Sequence, residues 1–262
     1  SDQTVALNSD VLVNIDLNQV FHLHNTTEQK VTVVYKKLPK ELISDVNSIL
    51  EIDESDKVLS HELFQGGDKE AYNMSTDIFV VDTPFLIAKL EEEAAKEEPR
   101  KLRYVLRDLA VAENAFAYEY TGYLSNIHSV KAYFDANLDM LESHKFYKLF
   151  APNQKVYTKV KNEEPTYYSD SSEVKLSQFA SGSIVRGKVE NSVISRNVDL
   201  SEGSSVSHSI LFPRVKVAKG ATVEYAIVDK GVEIAEGVTI RGTENNPVVI
   251  KKGSVVTEDI VR

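Results

Sequence analysis

Large aliphatic residues recur at regular steps through the last third of the chain. They stand at Val189, Ile194, Leu200, Val206, Leu211, Val217, Val223, Val228, Ile234 and Ile240. The same order of steps occurs three times, so Val189, Val206, Val223 and Ile240 hold equivalent places in successive coils. A small or slim residue stands two positions before each aliphatic from Ile194 onward. Residues i and i−2 share one face of an extended chain, so each short strand is predicted to point two side chains inward. This period predicts a parallel β-helix of hexapeptide repeats.

Residues 1–150 show a different pattern, in which β-rich runs alternate with helical ones. Strands are predicted at Thr4–Leu7, Val11–Val13, Val31–Lys37, Glu41–Ile43, Ile49–Ile52, Val58–His61, Asp77–Val81 and Ala115–Tyr120. Helices are predicted at Leu17–His24, Thr83–Lys96, Leu102–Glu113 and Ser129–Leu141. Thr83 is predicted to cap its helix, with Pro84 in the first turn. A mixed α/β domain follows from this alternation.

Glycine and charge mark the boundary between the two patterns. Eight of the eleven glycines lie from Gly182 onward. Positions 183–262 carry 11 basic and 10 acidic side chains, so the net negative charge of the chain arises before Ser183. The predicted organisation is an α/β domain over residues 1–150, a connector over 151–182 with one strand at Lys155–Val160, and a β-helix over 183–262.

Composition excludes several functions. The chain has no cysteine, which excludes disulfides and cysteine-based zinc sites and fits a cytoplasmic location. No apolar run approaches the ~18 residues of a membrane span, and no signal peptide leads the chain. We therefore expect no membrane as partner, and because an acidic surface repels phosphate backbones, we expect no nucleic acid either.

The common catalytic motifs are also absent: there is no Walker loop, no G-x-G-x-x-G, no H-E-x-x-H and no nucleophile elbow. His208 is the one histidine within the repeats. Hexapeptide-repeat acyltransferases use a coil histidine as base, so acyl transfer through His208 is one hypothesis. The alternative, which we favour, is an ordinary surface residue in a column with Asn191 and Tyr225.

Three stretches resemble glucose-1-phosphate adenylyltransferases (ADP-glucose pyrophosphorylases). Asn8–Leu17 resembles their G-D-H-x-Y-x-x-D-Y turn, and Ser75–Asp82 resembles S-M-G-I-Y-V-F-D. Tyr118–Asp139 resembles the F-x-G-Y-W-R-D-V-G-T-I-x-S-Y-W-E-A-N-M-D block. The resemblance implies the C-terminal part of a Rossmann-like nucleotidyltransferase domain followed by a left-handed β-helix. Catalytic members begin with a glycine-rich nucleotide loop that has no counterpart here. That half of their domain is expected to be missing, with apolar strand edges exposed where its strands would pair.

The resemblance also assigns site residues by position. Asp10 stands where the family has one of two Mg²⁺ aspartates, and Asn126 stands at the second. Ser75 and Asp77 fall on the sugar-binding strand, where Asp77 replaces a glycine. The family's E-K-P lysine has no match within Val58–Ala71. The resemblance implies Mg²⁺ as cofactor, but a neutral amide removes one full charge from the metal site and argues against Mg²⁺ binding in this chain.

These departures are typical of a regulatory, non-catalytic subunit of bacterial ADP-glucose pyrophosphorylase. Such a subunit partners a catalytic glucose-1-phosphate adenylyltransferase chain, which makes ADP-glucose from ATP and glucose 1-phosphate for glycogen biosynthesis. The chain alone is predicted to be inactive. The alternatives are a fragment of a catalytic sugar-nucleotide pyrophosphorylase and, less favoured, an acyltransferase.

One outward-facing column of the β-helix is apolar. The residues alternating with the core positions on this face include Val193, Ile210, Phe212, Tyr225 and Ile227. Exposed apolar patches usually mark interfaces, so we predict a homo- or hetero-oligomer contact through this strip. Coverage by the first domain of the same chain is the alternative.

Overall fold

The computed structural model describes residues 2–150, 155–159 and 161–262. The chain divides into two compact units, Ser1–His128 and Ser129–Arg262, which are described separately. The division falls before the helices at 130–149. These helices group with the coils, whereas the sequence pattern favours a first domain that extends to residue 150.

Within residues 2–128, the first unit combines eight strands with three α-helices and one short 3₁₀ helix. The strands are β1 (Gln3–Ala6), β2 (Val11–Val13), β3 (Val31–Pro39), β4 (Ser48–Ile52), β5 (Val58–Leu63), β6 (Ala71–Asp82), β7 (Phe116–Glu119) and β8 (Leu124–Asn126). The helices are α1 (Leu17–Thr26), α2 (Thr83–Ala94) and α3 (Leu102–Ala112), with the 3₁₀ turn at Lys40–Leu42.

The main sheet is built around β6. Its strand order is β5-β4-β6-β3-β7, and β1 also pairs with β6. Both central strands carry apolar residues on both faces, which is why β3 and β6 are largely buried. The backbone of Asp56–Val58 bonds to the β7 segment, with Ala117 N–H donating to Asp56 O at 2.8 Å and Val58 N–H to Ala115 O at 3.0 Å. The outer edge of β7 is therefore partly paired, although open strand edges were expected.

Local signals were mostly accurate in this unit, with two exceptions. The strand predicted at Glu41–Ile43 is wrong, because Lys40–Leu42 forms a 3₁₀ turn after Pro39. The predicted cap at Thr83 is also wrong: Asp82 is the N-cap of α2, without a side-chain capping bond. Thr83 Oγ1 instead lies 2.9 Å from Thr4 Oγ1 and links the helix start to β1.

The second unit begins with two helices and continues as stacked coils. The helices are α4 (Val130–Leu138) and α5 (Ser143–Leu149), separated by a 3₁₀ turn (Asp139–Leu141). The strands are β9 (Tyr167–Tyr168), β10 (Glu173–Lys175), β11 (Gln178–Phe179), β12 (Ile184–Val185), β13 (Lys188–Glu190), β14 (Val193–Ile194), β15 (Asp199–Leu200), β16 (Ser205–Ser207), β17 (Ile210–Leu211), β18 (Lys216–Val217), β19 (Thr222–Glu224), β20 (Ala226–Val228), β21 (Glu233–Ile234), β22 (Thr239–Arg241), β23 (Val248–Ile250), β24 (Val255–Val256) and β25 (Ile260–Val261).

These strands form three parallel sheets, as expected of a β-helix. The sheets run β10-β13-β16-β19-β22-β25, β11-β14-β17-β20-β23 and β24-β21-β18-β15-β12-β9. Every predicted aliphatic position from Val189 to Ile240 is buried, each at most 2 % exposed. The predicted fold class is confirmed.

The coils start earlier than the sequence predicted. The first coil comprises β9, β10 and β11, within the segment assigned to the connector. Val174 pairs with Val189 and Phe179 with Ile194, so this coil is shorter than the one that leads from Val189 to Val206. The strand predicted at Lys155–Val160 does not form at 155–159, and Val160 lies outside the described residues.

Buried serines explain why slim residues precede the aliphatics. Ser209 Oγ donates to Ser207 O at 2.7 Å and accepts the N–H of Ala226 at 3.1 Å, one coil further on. Ser192 repeats this arrangement with Glu190 O and the Ser209 N–H. Each hydroxyl therefore satisfies backbone groups that the coil turn leaves unpaired in the interior.

Corners of the coils require a left-handed backbone conformation. One corner is glycine in three successive coils, at Gly203, Gly220 and Gly237, with φ 70 to 72°. The corner beside α4 uses bulkier residues, namely Leu176, Asn191, His208 and Tyr225, at φ 42 to 48°. A left-handed conformation costs such residues about 1–2 kcal/mol each, so other contacts must offset the cost.

Helix α4 covers the outward-facing apolar strip that the sequence predicts to be a subunit contact. Phe134 packs on Ile210 and Ile227, and these three side chains are 1 %, 2 % and 6 % exposed. Tyr133, Leu138, Phe212 and Tyr225 surround this cluster, and Val193 is half-buried. The exposure on which the interface prediction rested is therefore absent at Ile210 and Ile227, because an amphipathic helix of the same chain buries them. Coverage within the chain, the alternative, is what the structure contains.

Candidate functional site

Asp10, Ser75, Asp77 and Asn126 line one cleft in the first unit. The cleft has a volume of about 380 Å³, and Asn8, Asn47, Ser48, Arg103 and His128 also contribute to its wall. The residues that the resemblance assigns to the metal and sugar positions lie on separate segments of the chain, and the fold brings them together in this cleft. Whether they bind these groups depends on what each side chain already contacts.

The two metal positions are brought together by the small sheet of β2 and β8. Val11 pairs with Asn126 in an antiparallel register, and Ile127 N–H donates to Asp10 O at 2.7 Å. Asp10 therefore directly precedes β2 and sits beside the end of β8. Its side chain is exposed.

Asn126 is buried, and both the nitrogen and the oxygen of its amide group are hydrogen-bonded. Nδ2 donates to Asn47 Oδ1 at 2.7 Å and to Leu42 O at 3.1 Å. Asn47 Nδ2 in turn donates to Asn126 Oδ1 at 3.2 Å. The amide pair ties the end of β8 to the turn that precedes β4. A residue at the family's metal position has thus become a structural link, and an amide suits it because it both donates and accepts.

Asp77 forms an ion pair with Arg107. Arg107 Nη2 lies 2.7 Å from Asp77 Oδ2, and Nε lies 3.2 Å from Oδ1, which is a bidentate pair. Both side chains are only about a tenth exposed, at 9 % and 11 %. Asp77 also adopts φ 51° at an irregularity between β3 and β6. The left-handed backbone explains why the family has glycine here.

His61 extends this polar network into the core. Its Nε2 lies 2.9 Å from Ser48 Oγ and 3.9 Å from Asp77 Oδ1, and its ring stacks on Phe79. Nδ1 is buried without a hydrogen-bond partner among the described residues. Burial lowers the pKa of His61 to about 4, an effect that the nearby Asp77 carboxylate only partly opposes. His61 is therefore neutral at pH 7.

The side chains do not fit a magnesium site. Magnesium requires oxygen ligands in near-octahedral geometry, and anionic carboxylates supply most of the attraction. Asn126 offers an oxygen that already accepts a hydrogen bond, and Asp77 is neutralised by Arg107. Across the described residues, no group of three or more His, Asp or Glu side chains is arranged to hold a metal.

His208 occupies a corner of the β-helix and stacks on Tyr225. The ring centroids are 4.8 Å apart with an interplanar angle of 19°. His208 Nδ1 is buried and has no hydrogen-bond partner within the part of the chain that is described. An acyltransferase base needs a partner that orients its ring, so this arrangement does not favour acyl transfer.

The residues that contact Asn126 and Asp77 could not be identified from the sequence. Asn47 lies in a turn, Arg107 on an amphipathic helix, and His61 on a short strand, so no motif joins them. The one signal in the sequence is Asp77, which stands where the family has glycine. A carboxylate buried at such a position needs a cationic partner. Finding Arg107 as that partner required the fold.

No helix among the described residues is long and apolar enough to span a membrane.

Residues 162–261 match the family model described as GlmU-like, C-terminal hexapeptide. This range includes the first coil, β9 to β11, which the period had missed.

The chain is similar to proteins of glycogen biosynthesis and to glucose-1-phosphate adenylyltransferases. Glycogen biosynthesis protein GlgD of Bacillus subtilis is 34 % identical over 197 residues, covering 75 % of this chain and 55 % of the relative. GlgD of Geobacillus stearothermophilus is 53 % identical over 127 residues, covering 48 % and 37 %. The glucose-1-phosphate adenylyltransferase of Thermosipho africanus is 24 % identical over 215 residues, covering 78 % and 50 %.

The chain spans about half the length, or less, of these relatives. The similarity to Bacillus GlgD and to the adenylyltransferase covers three quarters of the chain or more. The chain therefore belongs to the family of GlgD and the glucose-1-phosphate adenylyltransferases, as its sequence motifs indicate.

Proposed function

We propose that this chain is a regulatory, non-catalytic part of a bacterial glucose-1-phosphate adenylyltransferase system. It supports ADP-glucose formation for glycogen biosynthesis through a catalytic subunit and performs no chemistry itself. The proposal extends to a cytoplasmic oligomer assembled through the β-helix, at faces other than the strip covered by α4. Similarity to GlgD and to adenylyltransferases supports it.

The observation that carries the proposal is the bonding of Asn126. Adenylyl transfer depends on positioning and on electrostatic stabilisation by a cation. At the position of the second metal aspartate, Asn126 is neutral and forms three hydrogen bonds with Asn47 and Leu42. A magnesium ion would have to break this link without gaining a carboxylate. We infer that the chain binds no catalytic magnesium.

The test is an activity assay on the purified chain with ATP, glucose 1-phosphate and Mg²⁺. We expect no ADP-glucose above a blank without protein. Asn126→Asp is the informative variant, because it restores the family residue while leaving Asp77 paired with Arg107, and we expect it to be inactive as well. Formation of ADP-glucose by the unaltered chain would overturn the proposal in favour of a catalytic fragment.

A second assay tests the supporting role. The chain is mixed with a catalytic glucose-1-phosphate adenylyltransferase, and ADP-glucose formation is compared with that of the catalytic protein alone. We expect co-elution on size exclusion and a changed rate. Absence of both effects, with both proteins folded by circular dichroism, would refute the regulatory role.

A further inference from the structure

A second cleft lies within the β-helical unit, between the end of α4 and one corner of the coils. Its volume is about 400 Å³, within the range of small-molecule sites. Phe134 and Leu138 form part of the wall on the helix side, and Asn191, His208 and Tyr225 form the coil side. This cleft is separate from the one that contains Asp10 and Asn126, and its ligand chemistry does not depend on the proposed function.

The corner residues on its wall contradict the local backbone preference. Another corner of the β-helix is glycine in three successive coils, whereas His208 and Tyr225 hold φ 44° and 47° here. A third corner also has left-handed residues other than glycine, Asn197 and Arg214 at φ 57° and 64°, so the feature specific to the cleft is its aromatic pair. The two rings stack, and they present aromatic surface to a cleft that α4 leaves open.

Charge decides which ligand such a wall attracts. Asp135, Asp139, Glu142 and Glu244 also line the cleft. Lys131 pairs with Asp135, and Lys145 pairs with Asp139 and Glu142, so two ammonium groups face four carboxylates. Glu244 is exposed and forms no ion pair with any described residue. The wall therefore keeps a negative charge beside its aromatic surface.

We propose that this cleft binds a small organic cation with a planar charged group, of the guanidinium type. A planar cation can stack on an aromatic face and is attracted by the ring quadrupole and by carboxylates together. An anionic ligand would be repelled by the acidic rim. The rings give the site its shape, and Glu244 supplies a charge that no protein cation among the described residues neutralises.

Titration calorimetry on the full chain tests the proposal with two probes of nearly equal shape. Phenylguanidinium is planar and positive, whereas phenylurea is planar and neutral. We expect saturable binding of phenylguanidinium, at least ten-fold tighter than phenylurea and weaker at high salt. No binding of phenylguanidinium, or equal binding of both probes, would overturn the proposal.

Two variants and one control locate the binding. His208→Asn removes the ring and installs the residue that the preceding coil has at this corner, so the fold should be retained. Glu244→Gln removes the unpaired charge, and Glu202→Gln makes the same charge change at an exposed residue that does not line the cleft. We expect the first two to weaken binding at least five-fold and the control to leave it unchanged. Unchanged affinity in both cleft variants, with unaltered melting curves, would refute the site.

Discussion

The packing of α4 on the β-helix gives the sharpest test of the fold. Changing Ile210 and Ile227 together to Glu places two carboxylates under Phe134, in positions that are 2 % and 6 % exposed. Neither residue points into the interior of the coil, where Leu211 and Val228 are fully buried. The substitution therefore disrupts the contact with α4 and leaves the core of the β-helix intact.

The loss of stability cannot exceed the free energy needed to detach α4 from the coils, because detachment exposes the new carboxylates to water. Burying a large apolar side chain contributes about 1.5–3 kcal/mol, so exposing Phe134, Ile210 and Ile227 costs about 5–9 kcal/mol. Keeping unpaired carboxylates buried would cost a comparable amount. We therefore expect α4 to detach, with a loss of several kcal/mol in the stability of the helical segment.

Three measurements distinguish this outcome from loss of a subunit interface. Light scattering should give an unchanged mass, the α4 segment should become sensitive to limited proteolysis, and the first melting transition should fall. Ile210→Val with Ile227→Val keeps the surface apolar and should cost only about 1–3 kcal/mol in total. Val249→Glu with Val255→Glu makes the same charge change at two exposed valines and should be nearly neutral. A lower mass with an unchanged melting curve would refute the intramolecular contact.

Three further predictions follow from the hydrogen bonds and charges. Ser209→Ala should lower the unfolding free energy by about 1–3 kcal/mol, because the N–H of Ala226 loses its acceptor, whereas Ser205→Ala on the outer face should cost under about 0.5 kcal/mol in denaturant titrations. The pKa of His61 is lowered to about 4 in the folded state, whereas an unperturbed histidine has a pKa of about 6.5. Above about pH 6.5 the ring is neutral in both states and its protonation does not oppose folding. Stability should fall by up to about 3 kcal/mol as the pH drops from about 6.5 to about 4, and His61→Gln should flatten that part of the profile; an identical profile in the variant would contradict this. Asp77→Gly should destabilise the chain by about 2–4 kcal/mol because it leaves Arg107 buried and unpaired, and Arg107→Met should recover much of the loss in the double variant, as a thermodynamic cycle would measure.

The β-helix was predictable because its period fixes which residues point inward. The period changes at two places, and only at the first does the start of the coils differ from the predicted boundary. Phe179 pairs with Ile194 across a short first coil, and Val228 pairs with Ile250 across a long one because a turn at Thr243–Asn246 is inserted. Neither irregularity alters the inward alternation of side chains. Both irregularities change only the number of residues per coil, which is the spacing by which the repeats are recognised in the sequence.

Two apolar faces were identified separately, but their contact was not. The sequence predicts the apolar column of Ile210 and Ile227, and Phe134 and Leu138 are four residues apart, on one face of the predicted helix Ser129–Leu141. Nothing in either pattern states which surface covers the other, because hydrophobic burial is not directional. A subunit contact and an internal contact satisfy the same apolar residues, and only the path of the chain decides between them.

Asn126 and Asp77 are each held by a partner of their own, and this explains why a single reversal is not expected to restore chemistry. Asn126→Asp would remove the donor that reaches Leu42 O and would place a carboxylate against that carbonyl and the Asn47 amide oxygen. The new charge would therefore be repelled before any metal could use it. Asp77 remains held by Arg107 in the same cleft, so the added charge cannot recruit it as a second ligand. At both positions the residue that departs from the catalytic pattern has a partner of its own, and that partner makes the family's residue unfavourable there.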